Sequence, residues 1–224
     1  MELNKMLQEI QLTEIVSKFK SFGIAPDLEE GEIKFSLELL NLISQGAPVS
    51  RDESEKIASS LGLSEEKSRH IIESFTERDE QGRIVGLFGL TQNEYAHKFE
   101  IDDKQLYTFC GWDTLFLPQL LNKTAKVEVV DAQTKEIVTV EISPEGVISY
   151  SPTSAVLSIV LPEEKIETLL QAYAIFCTHV RFFASENNIN EWFTDRDYTP
   201  VIYSLDEGFQ LGSAVFAKFK QFVL

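Results

Sequence analysis

The side chains that usually hold metals or staple small proteins are scarce in this chain. Its 224 residues include 2 Cys and 3 His. They form no CxxC pair, no HExxH and no Cys/His cluster at zinc spacing. No GxGxxG, GxxxxGKS/T or GxSxG occurs either, so the common dinucleotide, P-loop and serine-hydrolase signatures are absent. Positive charge is also in short supply. Against 36 Asp+Glu stand 20 Lys+Arg, a formal net charge of −16. That balance disfavours duplex nucleic acid, whose binding requires Lys and Arg to neutralise phosphates, and anionic membrane surfaces. The longest nearly apolar stretch, AVLSIVLP, falls far short of the ~18 residues of a membrane span. MELNKMLQEIQ has neither a basic n-region nor an apolar h-region. A soluble, cytoplasmic protein without a signal peptide is expected.

What remains is enough for an ordinary core. Hydrophobic residues make up 43%, with 16 Phe, which a disordered acidic chain would lack. At this length roughly 70% of the unfolded surface can be buried, so folding needs no disulfide or metal.

Apolar positions at Leu3, Met6, Leu7 and Ile10, then Leu12, Ile15, Val16 and Phe19, have helical spacing with one phase slip. GIAPDLEEGE (23–32) reads as an acidic linker. The spacing then predicts a helix over 33–44, a second opened by the capping box Ser50/Glu53, and a third from Ser64. A hairpin follows at 80–90 with its turn at Gln81-Gly82. This order outlines a winged helix. Residues 34–98, however, carry 8 basic and 11 acidic side chains and no basic third helix, which points to a structural role rather than DNA binding.

Beyond residue 98 the pattern becomes α+β. Residues 124–130 and 136–142 alternate as a strand pair, SPEG (143–146) is a turn, and VLSIVL (156–161) is a buried strand. Pro162 is placed to open a helix, AIFCTHVRFFAS (174–185) reads as a strand, and a short helix is expected near Trp192. VIY (201–203) is a strand, and Ser204/Glu207 caps a last helix reaching about residue 222. The expected architecture is α+β: an N-terminal helix and linker (1–32), a winged-helix-like unit (33–98), and a mainly antiparallel sheet with flanking helices (99–224) holding both cysteines.

Chemistry centres on Cys110 and Cys177. In Cys110-Gly-Trp-Asp113 a helical backbone would put thiol and carboxylate on one face. The carboxylate could then take the thiol proton and return it elsewhere, and a helix N-terminus would lower the thiol pKa. Cys177 lies in IFCTHVRFF, with His179 two positions on. Each cysteine also has a plainer reading as a small buried hydrophobe, and His179 as a satisfied, partly buried histidine. A disulfide joining the two would be worth roughly 4 kcal/mol, although a reducing compartment argues for free thiols.

LYTFCGWDTLFLP (106–118) followed by FCTHVRFFAS (176–185) resembles the bacterial organomercurial (alkylmercury) lyases. The resemblance continues in GAPVSRDESEKIASSLGLSEEK (46–67), FEIDDKQLY (99–107), VEISPEG (140–146), SIVLP (158–162) and SLDEGFQLG (204–212), covering about residues 34–216. It implies protonolysis of a carbon–mercury bond, with Cys110, Cys177 and Asp113 as catalytic and mercury-binding residues. Mercury is soft and prefers thiolate ligands. Two thiolates would make the mercury-bound carbon basic, Asp113 would protonate it, and Hg(II) would stay on the cysteines. The resemblance further implies an organomercurial substrate, no resident cofactor, and low-molecular-weight thiols or a mercuric reductase as Hg(II) acceptor. Where some relatives carry further cysteines, this chain has Asp131 and Thr178, and Phe109 stands where many have Trp. Neither further cysteine is needed for the mechanism, and Phe for Trp is a conservative change in a hydrophobic pocket. The alternative is a non-catalytic mercury-sensing or regulatory protein working through the winged-helix-like unit.

Overall fold

The computed structural model describes residues 2–24 and 26–223, with side chains described from residue 12 onward. The spacing of Leu3, Met6, Leu7 and Ile10 therefore lies outside the described side chains. The first helix, α1 (Glu2–Ser21), ends in a turn at Gly23. The acidic stretch expected as a linker is shorter than its composition suggests. Glu29 caps α2 (Glu30–Ser44) in a capping box with Glu32, because an N-cap acid satisfies the free N–H groups of the first turn. Ser50 and Ser64 cap α3 (Arg51–Ser60) and α4 (Glu65–Phe75) where the sequence places them.

Antiparallel strands follow: β1 (Thr76–Arg78), β2 (Ile84–Leu87), β3 (Leu90–Thr91), β4 (His97–Ile101) and β5 (Lys104–Thr108). After α5 (Gly111–Leu121) come β6 (Ala125–Val130), β7 (Ile137–Ser143) and β8 (Gly146–Ser151). All eight form one antiparallel sheet in the order β1-β2-β3-β5-β4-β6-β7-β8. Residue 98, where the sequence pattern changes, lies inside β4 and thus inside this sheet.

Alternation decides which face is buried. Phe99 and Ile101 on β4, Val127 and Val129 on β6, and Val138, Val140 and Ile142 on β7 all point inward, while Lys98, Glu100, Lys126 and Glu128 face out. Against the inner face lies α5, every residue of which is buried. It runs on through Pro118 and ends four residues later at Asn122 in a left-handed cap.

A second sheet, β10-β9-β11, is built from β9 (Val156–Ile159), β10 (Arg181–Phe183) and β11 (Val201–Ser204). It is accompanied by α6 (Leu169–Ile175), α7 (Glu186–Phe193) and α8 (Leu205–Val215). Close packing of α8 on α5 rests on two glycines. A Cβ at Gly208 would lie 2.7 Å from Leu115 Cδ1, and one at Gly212 2.6 Å from Phe116 Cβ.

Three local expectations need correction. No helix opens at Pro162: α6 starts after Thr168, whose capping box with Gln171 supplies the satisfied N-terminus that Pro162 lacks. Within this segment the Ile166 N–H instead donates to Phe22 O, just past the end of α1, at 2.7 Å. Nor is 174–185 a strand throughout. The end of α6 tightens into a 3-10 turn at Cys177–His179, and pairing with β9 begins only at Arg181. Finally, α8 stops at Val215, and a separate 3-10 turn spans Phe219–Phe222. Among the described residues, no helix is long and apolar enough to cross a membrane.

Candidate active site

Cys110 occupies the N-cap of α5, the position at which β5 hands over to the helix. Asp113 is the third residue of that helix, so the two close a capping box in which a thiol replaces the usual hydroxyl. The Asp113 N–H donates to the Cys110 sulfur, and the Cys110 N–H donates to Asp113 Oδ2 at 2.8 Å. The C-x-x-D spacing thus has two consequences. It caps the helix, and it holds a carboxyl beside a thiol.

Further hydrogen bonds fix the turn. Thr108 Oγ1 donates to Cys110 O at 2.9 Å, and the Gly111 N–H donates to Val180 O at 3.2 Å. The second of these ties the Cys110 segment to the strand following Cys177. The Val180 N–H in turn donates to Cys177 O at 3.2 Å, closing the 3-10 turn that presents the second thiol. One ligand atom from each of Cys110, Asp113 and Cys177 lies within 4.8 Å of the other two. Both cysteines are free thiols, and all three residues are buried.

Burial governs the protons here. It pushes the Asp113 carboxyl up to about 7, against the opposing pull of hydrogen bonds from the Cys110 N–H and thiol. Burial also lifts the Cys110 thiol well above its ordinary range, helped by its hydrogen bond with Cys177 and the nearby Asp113 charge. The helix N-terminus favours a thiolate at Cys110, but desolvation and a neighbouring carboxylate outweigh it. At neutral pH, therefore, Cys110 keeps its proton and Asp113 sits near its midpoint.

Two of the three border a cavity of about 490 Å³, ample for a small organic group. Asp113 and Cys177 line it, together with Phe75, Phe88, Phe109, Trp112, Phe116, Phe176 and Phe216. Cys110 is fully shielded and lies behind this wall. The end of α1 and the 165–169 segment also line it.

His179 is not brought to the thiols. Its ring lies 4.4 Å from that of Tyr198, and burial followed by the charges of Arg181 and Arg196 lowers its pKa. Thr178 bonds back to α6, its hydroxyl donating to Ala174 O at 3.0 Å.

Two contributors escaped the sequence reading. Gly89 has φ +90°, and a Cβ there would sit 2.3 Å from Asp113 Cγ. Its carbonyl accepts the Phe109 N–H at 2.9 Å. Only glycine lets the β2–β3 turn approach the carboxyl so closely. The Phe88-Gly89 pair was the available signal, since glycine flanked by apolar strand residues marks a tight turn. Asp131, which the sequence offered only as a replacement for cysteine, is fully buried. Its Oδ1 accepts the Gln133 and Thr134 N–H groups at 2.7 and 3.1 Å, and its Oδ2 the Ala184 N–H and Asn188 Nδ2 at 2.7 and 2.8 Å. Those bonds hold its carboxyl below the usual range despite burial. They also pin the end of the Cys177-bearing segment to the main sheet.

Comparison with known proteins places the chain in a family. The alkylmercury lyase family model matches residues 90–217. The chain is 33% identical over 185 residues to an alkylmercury lyase of Staphylococcus epidermidis, covering 82% of each chain. It is 38% identical over 156 residues to one from Pseudomonas putida, covering 69% of this chain and 70% of that one. In fold it matches the crystal structure of the mercury-bound form of MerB2 with a TM-score of 0.75 at 17% identity, over 93% of this chain and 99% of that one. Family model and relatives agree, and the chain is a member of the alkylmercury lyase family.

Proposed function

We propose that the protein cleaves the carbon–mercury bond of organomercurials by protonolysis, with Cys110, Cys177 and Asp113 as its reacting groups. The observation that carries this reading is the convergence of two thiols and one carboxyl within 4.8 Å at the wall of an aromatic cavity. Two soft sulfur donors suit mercury, and a carboxyl with a pKa of about 7 suits a proton relay at neutral pH.

The steps balance as follows. Cys177 faces the cavity, so its sulfur binds R–Hg⁺ first, releasing its proton to the departing ligand. Cys110 adds next, passing its proton to the ionised Asp113 carboxylate. Two sulfur donors raise electron density on the mercury-bound carbon. Asp113 then delivers the proton to that carbon, the Hg–C bond breaks, R–H leaves, and Hg(II) remains on the two thiolates. Mercury is substrate and product throughout, and the scheme requires no resident cofactor. Release falls to an outside thiol, either a low-molecular-weight thiol or a mercuric reductase. Cys177, on the open side, offers it the point of attack. Because the scheme needs reduced thiols, it suits the cytoplasm.

In the same reading, residues 33–98 act as a winged-helix-like scaffold for a catalytic part at 99–224, and from the segment 1–32 Gly23, Ile24, Pro26 and Asp27 line the cavity. Supporting this, α2–α4 and the β1–β2 hairpin follow in winged-helix order, and that region has the acidic balance of a structural unit.

The test is hydrocarbon release. Purified, reduced protein with excess thiol is expected to give methane from methylmercury and benzene from phenylmercury. Cys177→Ser is expected to lower either rate at least 100-fold, since alkoxide is a poor soft-metal ligand. Undiminished turnover by Cys177→Ser would overturn the two-thiolate scheme.

A further inference from the structure

Phe88 occupies a conformation that its side chain does not favour. It and Gly89 form the two-residue connection between β2 and β3, with Leu87 paired to Leu90. Their φ values of 49° and 90° are both positive, as a type I′ turn requires. Asn-Gly is the preferred pair at such a turn, and a bulky residue at positive φ is an outlier that persists only where its surroundings hold it. Here they do. The Phe88 ring lies 5.7 Å from Phe75, 6.3 Å from Phe216 and 5.6 Å from Phe219. Turn chemistry does not ask for this ring, yet the fold fixes it in the cavity wall, one residue from the glycine that touches the Asp113 carboxyl.

Two of the other aromatic walls have structural duties. Trp112 and Phe116 belong to the wholly buried α5. The Trp112 indole N–H donates to Gly208 O at 3.0 Å, and Phe116 stacks on Phe216 with ring centroids 4.3 Å apart. Phe88, on a turn, is bound to the fold chiefly through its ring.

We propose that Phe88 is a specificity-determining residue: its ring closes the cavity beside the proton donor and sets the size of the organic group that packs against it. The inference rests on the proposed carbon–mercury cleavage and adds to it the source of substrate selection. A small alkyl group is held against Asp113 by the ring, whereas a large aryl group is crowded by it. Differences of one methylene in an apolar pocket shift kcat/KM by roughly 10- to 200-fold, and a phenyl ring is larger than that.

The experiment compares wild type with Phe88→Asn, which removes the ring and installs the residue the turn prefers, and Phe88→Leu, which keeps part of the bulk. Hydrocarbon release from methylmercury, phenylmercury and 1-naphthylmercury gives kcat/KM for each. The naphthyl-to-methyl ratio is expected to rise at least tenfold in Phe88→Asn and by an intermediate factor in Phe88→Leu. A ratio within twofold of wild type in a variant with native near-ultraviolet circular dichroism would overturn the proposal. If Phe88→Asn does not fold, Phe88→Leu decides by the same ratio. Absence of hydrocarbon from wild type with all three substrates would instead overturn the underlying reaction.

Discussion

Replacing Asp113 by Asn separates the proton-holding role of this carboxyl from its place in the α5 cap. The amide oxygen can still accept the Cys110 N–H, so the capping geometry survives while the titration disappears. In wild type the folded carboxyl is pushed up to about 7 from an ordinary value of 3.8. Between those pH values the folded state holds a proton that the unfolded state releases, so this group makes stability fall as pH rises. The loss stops above pH 7, where the folded carboxyl also ionises. At about 1.4 kcal/mol per pH unit the integrated loss is roughly 4 kcal/mol, of which about 3 kcal/mol falls between pH 4.5 and pH 8. For a domain of this size that corresponds to a Tm change on the order of 10 °C. The buried amide N–H₂ adds a cost of about 1–3 kcal/mol where it is unpaired, but that cost does not vary with pH. The quantity to follow is therefore the difference in Tm between Asp113→Asn and wild type, by scanning calorimetry at pH 4.5 and pH 8. Other carboxylates contribute equally to both proteins and cancel. The difference should move in favour of the variant by roughly 10 °C from the lower to the higher pH. A difference constant within 2 °C would refute the elevated carboxyl and, with it, the proton store at neutral pH.

Two further substitutions probe how the site is held. Gly89→Ala places a Cβ 2.3 Å from Asp113 Cγ at φ +90°. It should lower the urea midpoint by the equivalent of about 3 kcal/mol or more and abolish hydrocarbon release; near-wild-type values for both would show that the turn does not press on the carboxyl. Asp131→Ala strands the Ala184 N–H, the Asn188 amide and two turn N–H groups. It should cost about 2–4 kcal/mol in urea unfolding and lower the Hg(II) affinity of the thiol pair, read by competition with a chelating dithiol. Unchanged affinity would confine Asp131 to the fold.

How much of this was legible from the chain depended on whether the deciding interaction is local. Ser50 with Glu53 and Ser204 with Glu207 cap their helices because everything needed lies within one turn. Cys110 and Asp113 were legible for the same reason, and the helix that brings them together begins where the thiol stands. The β6–β7 pair followed from period-two alternation. Pro162 only permits a first helical turn, and the capping box at Thr168 decides where the helix starts. Aromatic residues after Cys177 suggested an extended strand, but pairing with β9 is available only from Arg181. Asp131 looked inconsequential in the sequence because its partners include Ala184 and Asn188, brought there only by the second sheet and α7. Gly89 presents the same difficulty. Its need for a missing side chain is set by Asp113, on a helix that begins beyond three further strands. The meeting of Cys110 with Cys177 is likewise long-range, and no spacing rule implies it. In the sequence, only resemblance to the organomercurial lyases joined the two thiols.

Single-turnover stoichiometry tests the account most directly. Reduced protein is mixed anaerobically with one equivalent of phenylmercury and no added thiol. Benzene, protein-bound mercury and titratable thiols are then counted. The expected result is one benzene per chain, all mercury retained and neither Cys110 nor Cys177 titratable. Benzene release that leaves one thiol free, or mercury held by both thiols with no benzene formed, would contradict the proposed coupling of two sulfur donors to protonolysis by Asp113.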